Sequence, residues 1–267
     1  MSANASNKDS MKNILIVSLS VCFVCSVVVS LAAVMLKPQR IANKELDRNK
    51  SILIAAGLYQ EGVNREEEIV GLFSRFTVKV ADLEEGKLLS ETQVQEAGLD
   101  LSRYDQRKAA KDNSLSRRLS DDEDLAQIGR RARYSVVYLI EEEDAIEKIV
   151  LPVHGYGLWS TLYGFMAVEG DGNTVSGITF YEHAETAGLG GEVDNPKWKA
   201  LWQGKQIYDT EGGVALEVIK GKVDEESASA RHKIDGLSGA TLTSNGVKNL
   251  VAFWMGEKGF GPILKQI

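Results

Sequence analysis

Cysteine is nearly missing from this 267-residue chain: only Cys22 and Cys25 occur, and both sit inside an uncharged apolar run. No disulfide framework can hold the remaining residues together. With three histidines and no cysteine after residue 25, the chain lacks the ligands for a zinc or iron–sulfur site of its own. Excess positive charge is also missing. The net charge is −7 and no basic stripe alternates with aromatic residues, which excludes nucleic acid as a partner. No internal repeat or low-complexity tract appears. The Cys-x-x-Cys spacing of Cys22 and Cys25 reads as two small apolar residues on a membrane helix, because redox or metal chemistry needs an accessible polar setting. Ligation of a cofactor shared with partner subunits is the alternative.

One long hydrophobic run is present. Residues 14–36 are 23 residues without a charge, bounded by Lys12 and by Lys37-Pro38. At about 1.5 Å per residue this length reaches about 34 Å as a helix, enough to cross a bilayer with some tilt. A cleaved signal peptide is the rival reading. The run is longer than the apolar core of such peptides and no small-x-small site precedes its polar end, so an uncleaved single-pass anchor is expected. Lys8 and Lys12 precede the run, whereas Lys37, Arg40, Lys44, Arg48 and Lys50 follow it, and charge counting alone puts the C-terminal part in the cytoplasm. That rule weakens when a large domain follows.

The rest reads as α+β with an antiparallel sheet. Residues 41–59 suggest a helix continuing from the anchor. Residues 76–80 alternate as a strand, and 102–133 form a highly charged stretch expected to be a solvated excursion or an interaction surface. From Tyr134 the pattern changes: 134–140, 145–153, 161–168, 174–181 and 214–222 read as strands. The connector 169–173 reads as a hairpin turn, and 197–203 as a short helix with Trp198 and Trp202 on one face. The expected organisation is a tail and transmembrane helix over 1–37, a membrane-proximal helical and charged segment over 38–133, and the main domain over 134–267.

The sharpest local signal is Asp-Gly-Leu-Ser-Gly-Ala-Thr over residues 235–241, followed by Leu-Thr-Ser-Asn-Gly-Val over 242–247. Small residues Ser238, Gly239 and Ala240 permit close backbone approach. Val247, Leu250, Val251 and Trp254 then fall at helical spacing, with Thr243 or Ser244 as an expected N-cap. A helix start beside a small-residue turn favours a phosphate, through free amides and the helix dipole. A plain loop-to-helix junction fits the same residues.

The seven residues ending at Thr241 resemble the flavinylation motif of FMN-binding domains. Further marks are the run Ser-Gly-Ala-Thr-Leu-Thr-Ser-Asn-Gly-Val, the Gly-Tyr-Gly-Leu-Trp turn at 155–159, the loop His-Ala-Glu-Thr-Ala-Gly-Leu-Gly at 183–190 and the N-terminal anchor. Together they resemble the C subunit of the sodium-translocating NADH:quinone oxidoreductases across nearly the whole chain. The G subunit of the related electron-transport complexes shares the motif and is the competing resemblance. A membrane-tethered scaffold module without redox function is the reading from another class. One departure is Ala187, where the family loop usually carries proline.

The resemblance implies FMN bonded through its phosphate to Thr241 by an external FMN transferase, with Asp235, Ser238, Gly239 and Ala240 recognised during transfer or holding the turn. It implies a flavin pocket lined by Leu158, Trp159, Glu185, Thr186, Gly188 and Leu189. It also implies one-electron transfer toward quinone, other membrane subunits and lipid as partners, and an inner-membrane protein whose C-terminal domain is periplasmic. Histidines 154 and 183 flank these loops and are given no catalytic role. The span itself has no ionisable residue, so this chain alone does not form a sodium path.

Overall fold

The computed structural model describes residues 11–60, 62–101, 103–143 and 145–267. The first ten residues of the expected 1–37 segment, with Lys8, lie outside the described residues. In chain order the elements are α1 (Met11–Ala55), α2 (Glu68–Phe73), β1 (Thr77–Asp82), β2 (Lys87–Leu89), α3 (Glu91–Glu96), α4 (Gln106–Ala109), β3 (Ser116–Arg118), β4 (Arg130–Ala132), β5 (Tyr134–Glu142), β6 (Ala145–Tyr156), β7 (Thr161–Glu169), β8 (Val175–Glu182), α5 (Pro196–Ala200), β9 (Glu217–Val218), β10 (Lys233–Ile234), α6 (Thr241–Trp254) and α7 (Gly261–Leu264). Single 3₁₀ turns at Gly190–Asp194 and Ala230–His232 complete the chain.

The helix α1 is 45 residues long and continues through Pro38. Its apolar part is exposed, and the helix is long and apolar enough to cross a membrane. Two compact units divide the chain, Met1–Asp47 and Arg48–Ile267.

In the second unit, six strands form one antiparallel sheet in the order β2-β1-β5-β6-β7-β8. The connector after β7 is the expected hairpin: Asp171 accepts from the amides of Asn173 and Thr174 at 2.9 and 2.7 Å, and Gly172 takes φ +67°. The expected boundary at 133/134 does not fall at a break in the structure, because β1 pairs with β5 along its length. Nor is the charged stretch 102–133 wholly solvated. Arg131 is buried and meets Glu84 at 2.6 Å, while Arg133 meets the buried Asp82 at 2.7 Å. Each pair ties one buried charge, Arg131 or Asp82, to a partner nearer the surface, because a lone buried charge would be costly. The expected strand over 214–222 shrinks to β9, paired in parallel with β10, because glycine turns at 212 and 221 (φ +80° and +85°) bracket it.

One sheet face carries the core. Ile149, Leu151 and Val153 of β6 are buried with Val247, Leu250 and Val251 of α6. Trp198 and Trp202 pack edge to face at 5.4 Å, as their spacing predicts, after the Asn195 cap starts α5. On the other face Tyr138 and Phe165 meet edge-on at 6.2 Å, and Ile52 and Leu53 are fully buried.

His154 lies between the rings of Tyr163 and Trp254, at 5.5 and 4.9 Å. Burial pushes its pKa down to about 4, and the Arg107 guanidinium acts in the same direction. The unfolded imidazole titrates near 6.5, so between those values the unfolded chain binds more protons and stability falls as pH drops. The full effect corresponds to about 3 kcal/mol. We expect the melting temperature to fall from pH 6.5 to pH 5, and His154→Gln to flatten that slope in thermal melts across the window.

Candidate flavin site

Three segments far apart in sequence converge at one end of the sheet. The first is the turn 157–160 between β6 and β7. It exists because Tyr156 pairs with Thr161, and the Gly157 amide donates to the Ser160 carbonyl at 2.8 Å. The second is the loop after β8, residues 183–191. The third is the run into α6, residues 235–246.

The first two segments are bonded to each other. The Ala184 amide donates to the Ser160 hydroxyl at 2.7 Å. Glu185 is buried, and its Oε1 accepts from the amides of Leu158, Trp159 and Ser160 at 3.1, 3.0 and 3.2 Å. Its Oε2 reaches the third segment, accepting from the fully buried Thr243 hydroxyl at 2.7 Å. Burial raises the pKa of this carboxyl, but the Thr243 hydroxyl and the three amides outweigh it and hold the group below its usual range.

The loop 183–191 turns with Ala187 at the position where the resemblance leads proline to be expected. Gly188 takes φ +74°, and Thr186 accepts from the amides of Leu189 and Gly191 at 3.1 and 2.9 Å. The turn chemistry is thus met by glycine at the left-handed position, with Ala187 before it. Thr186, Gly188 and Leu189 are all exposed. His183 contacts Asp194 through Nε2 at 2.7 Å and accepts the Glu185 amide through Nδ1 at 3.2 Å, a structural placement.

Helix α6 begins at Thr241, with Ala240 in the cap position and no side-chain cap. The expected N-cap at Thr243 or Ser244 is therefore corrected. Both residues sit within the first turns with their hydroxyls engaged: Thr243 donates to Glu185, and Ser244 accepts from the Leu237 amide at 2.9 Å. The first-turn amides have no partner within the helix, which leaves a 14-residue helix with its positive end open beside the Thr241 hydroxyl.

Thr241, Ser238 and Gly239 are exposed and Ala240 is buried. Gly239 takes φ +72°, and a Cβ there would stand 3.0 Å from Leu189 Cδ2, which places the two loops side by side. Three large apolar side chains from the converging segments, and Tyr156 at the end of β6, face solvent: Tyr156, Trp159, Leu189 and Leu242 are 42, 66, 43 and 59 % exposed. Leu158 is half-buried. Asp235 is turned to the fold. Its carboxylate accepts from the Val223 amide at 2.8 Å and its carbonyl from Trp198 Nε1 at 2.9 Å. A cleft of about 480 Å³ adjoins the turn, bordered by Gly188, Trp198, Asp235 and Ser238.

Sequence reasoning brings these three segments together but misses the bond between Glu185 and Thr243 and the part played by Ser160. The one available signal is that Glu185 and Thr243 both lie within the motifs that carry the family resemblance. Among the described residues, no group of acidic, histidine or cysteine side chains could hold a metal.

A model of the FMN-binding domain matches residues 157–256, which include the turn at 157–160, the loop 183–191 and the start of α6. The C subunit of the Na(+)-translocating NADH-quinone reductase of Pseudomonas aeruginosa is 52% identical over 261 residues, covering 98% of this chain and 97% of that one. The protein of the same name from Vibrio campbellii is 47% identical over 264 residues, with 98% and 97% covered. The crystal structure of Shewanella oneidensis NqrC matches with a TM-score of 0.71 at 33% identity, over 84% of this chain and 98% of that chain. The crystal structure of the corresponding reductase subunit from Parabacteroides distasonis, at 22% identity and a TM-score of 0.62 over 86% and 96%, shares the fold.

Proposed function

The chain belongs to the family of the Na(+)-translocating NADH-quinone reductase C subunits, and on that premise we propose that it carries electrons through FMN bonded covalently to Thr241. The observation that carries this reading is the exposed Thr241 at the first position of an uncapped helix, in a segment whose Gly239 approaches the exposed Leu189 and whose Thr243 is tied through Glu185 to the turn that carries the exposed Trp159. The residues present fit such a group. A phosphate diester suits the open amides and dipole of α6, and a flat aromatic ring suits an exposed apolar platform.

In this reading Thr241 is the attachment residue. Its hydroxyl oxygen forms the new bond to the FMN phosphorus of an FAD presented by a transferase. The phosphoanhydride bond to AMP breaks, AMP leaves with the electron pair, and the hydroxyl proton is released. Ser238, Gly239 and Ala240 keep the approach to Thr241 free of bulk, and Asp235 holds the turn through Val223 and Trp198. Trp159, Leu189 and Thr186 flank the ring, with Leu158 and Gly188 shaping their backbone. Bound FMN supplies reversible redox chemistry, and the protein supplies position and electrostatics. Intact mass tests the reading: attachment adds roughly 440 Da, and a scaffold module adds nothing.

The name of the relatives implies a complex, so other subunits are the expected partners, with the transferase as a transient one. We place the chain in the inner membrane through α1, with lipid around its apolar run and the Arg48–Ile267 unit in the periplasm. The basic residues after the run are interleaved with Glu45 and Asp47, which weakens the opposing charge count. Alkaline phosphatase fused after Ile267 should be active, and a cytoplasm-folding fluorescent protein at the same point should stay dark. The opposite pair of results would reverse the orientation.

A further inference from the structure

The Glu185 carboxylate is unusual for a residue in an exposed, glycine-rich loop. It is buried, and none of its bonds reaches outward. Oε1 gathers three successive amides of the turn 157–160, and Oε2 takes the hydroxyl of Thr243 in the first turn of α6. The backbone around it leaves room for nothing else. A Cβ on Gly157 would stand 2.7 Å from Oε1, and one on Gly190 would stand 2.5 Å from Thr243 Oγ1 and 2.7 Å from Oε2. The residues on either end of this link are the ones that present the site: Trp159 belongs to the clasped turn, Leu189 follows Glu185 by four residues, and Thr241 precedes Thr243 by two.

We propose that Glu185 is a positioning residue, a clasp that fixes the Trp159 turn and the Leu189 loop against the start of α6, so that the apolar platform stands beside Thr241 before any flavin arrives. This rests on the reading of the site as a flavin site, and it differs from lining the pocket. The carboxylate acts through Trp159, Leu189 and Thr243 and makes no contact with the ring itself. Three amides and a hydroxyl aimed at one buried carboxylate leave four donors without an acceptor when it is removed, and buried unsatisfied donors are costly. Glutamine conserves the shape. Its carbonyl can accept the same amides, and its amide can donate to Thr243 Oγ1 in place of the reversed bond.

The test uses the full chain in two arms. In the first, Thr241→Ala protein, which lacks the attachment hydroxyl, is compared with and without Glu185→Ala by hydrogen exchange. We expect the amides of residues 158–160 to lose protection by about tenfold or more, and Glu185→Gln to restore most of it. In the second, the flavin-loaded chain is examined by visible circular dichroism. Glu185→Ala should alter the flavin's signature while leaving it attached, and Glu185→Gln should bring the signature back. Unchanged protection at 158–160 in Glu185→Ala, an unchanged flavin signature, or a glutamine variant as disturbed as the alanine variant would each overturn the clasp. A wild-type chain with no covalent flavin would instead remove the flavin reading, while the exchange arm would still decide the role of Glu185.

Discussion

Thr241→Ala should abolish covalent flavin completely: no fluorescent band in a denaturing gel and no mass increment, from a protein that melts close to the wild type. The expectation of total loss follows from chemistry, since alanine has no oxygen to bond to phosphorus. The expectation of an intact fold follows from exposure. Thr241 is a surface residue with no side-chain cap role, and alanine is a better helix former than threonine. Thr243 supplies the contrast. It lies two residues on, carries the same hydroxyl, and is fully buried with that hydroxyl committed to Glu185 at 2.7 Å. Thr243→Ala should therefore keep the flavin attached and lose stability by about 1–3 kcal/mol, because the Glu185 oxygen is left without its donor. A gel in which Thr241→Ala still fluoresces and Thr243→Ala is dark would exchange the two roles.

The contrast between these threonines shows what the sequence can and cannot say. Both follow the same small-residue turn, and composition does not separate them. The helical spacing of Val247, Leu250, Val251 and Trp254 places α6 correctly, but its first residue is set by Ala240 and by where the Ser244 and Thr243 hydroxyls are drawn. Those pulls come from Leu237 and from Glu185, a residue 58 positions away. Strands β5 to β8 were legible because alternation and turn chemistry are local. Strand β1 was legible as a strand but not as the partner of β5, since the charged stretch between them reads as solvent. Its Arg131 and Arg133 pair with Glu84 and Asp82, which again lie far off in sequence. Local periodicity identifies elements, whereas burial of a polar side chain is decided by partners that no local pattern names.

Gly246→Val should disable the site from behind. Gly246 sits inside α6, where glycine costs about 1 kcal/mol relative to alanine, so its presence there needs a reason in packing. The reason is the turn at the end of β6. A Cβ at 246 would stand 2.5 Å from the Tyr156 carbonyl oxygen and 2.9 Å from Gly157 Cα. Both are backbone atoms, and they do not swing aside as a side-chain tip would. The neighbouring backbone is pinned as well: the Tyr156 amide donates to the Ala126 carbonyl, and the Gly157 amide donates to the Ser160 carbonyl, each at 2.8 Å. Valine therefore has to push α6 away from the strand end. This stretches the Thr243–Glu185 bond and lifts Thr241 from beside the Trp159 turn. Overpacking of this kind costs about 3 kcal/mol, which for a domain of roughly 220 residues lowers the melting temperature by about 6–12 °C. The gain in helix propensity from replacing glycine is smaller and does not offset it. Circular dichroism melts should show that drop, and the amides of residues 158–160 should exchange faster below the melting point. A Gly246→Val protein with wild-type melting and wild-type exchange would mean that α6 and the end of β6 do not approach this closely, and the placement of Thr241 beside the Trp159 turn would have to be redrawn.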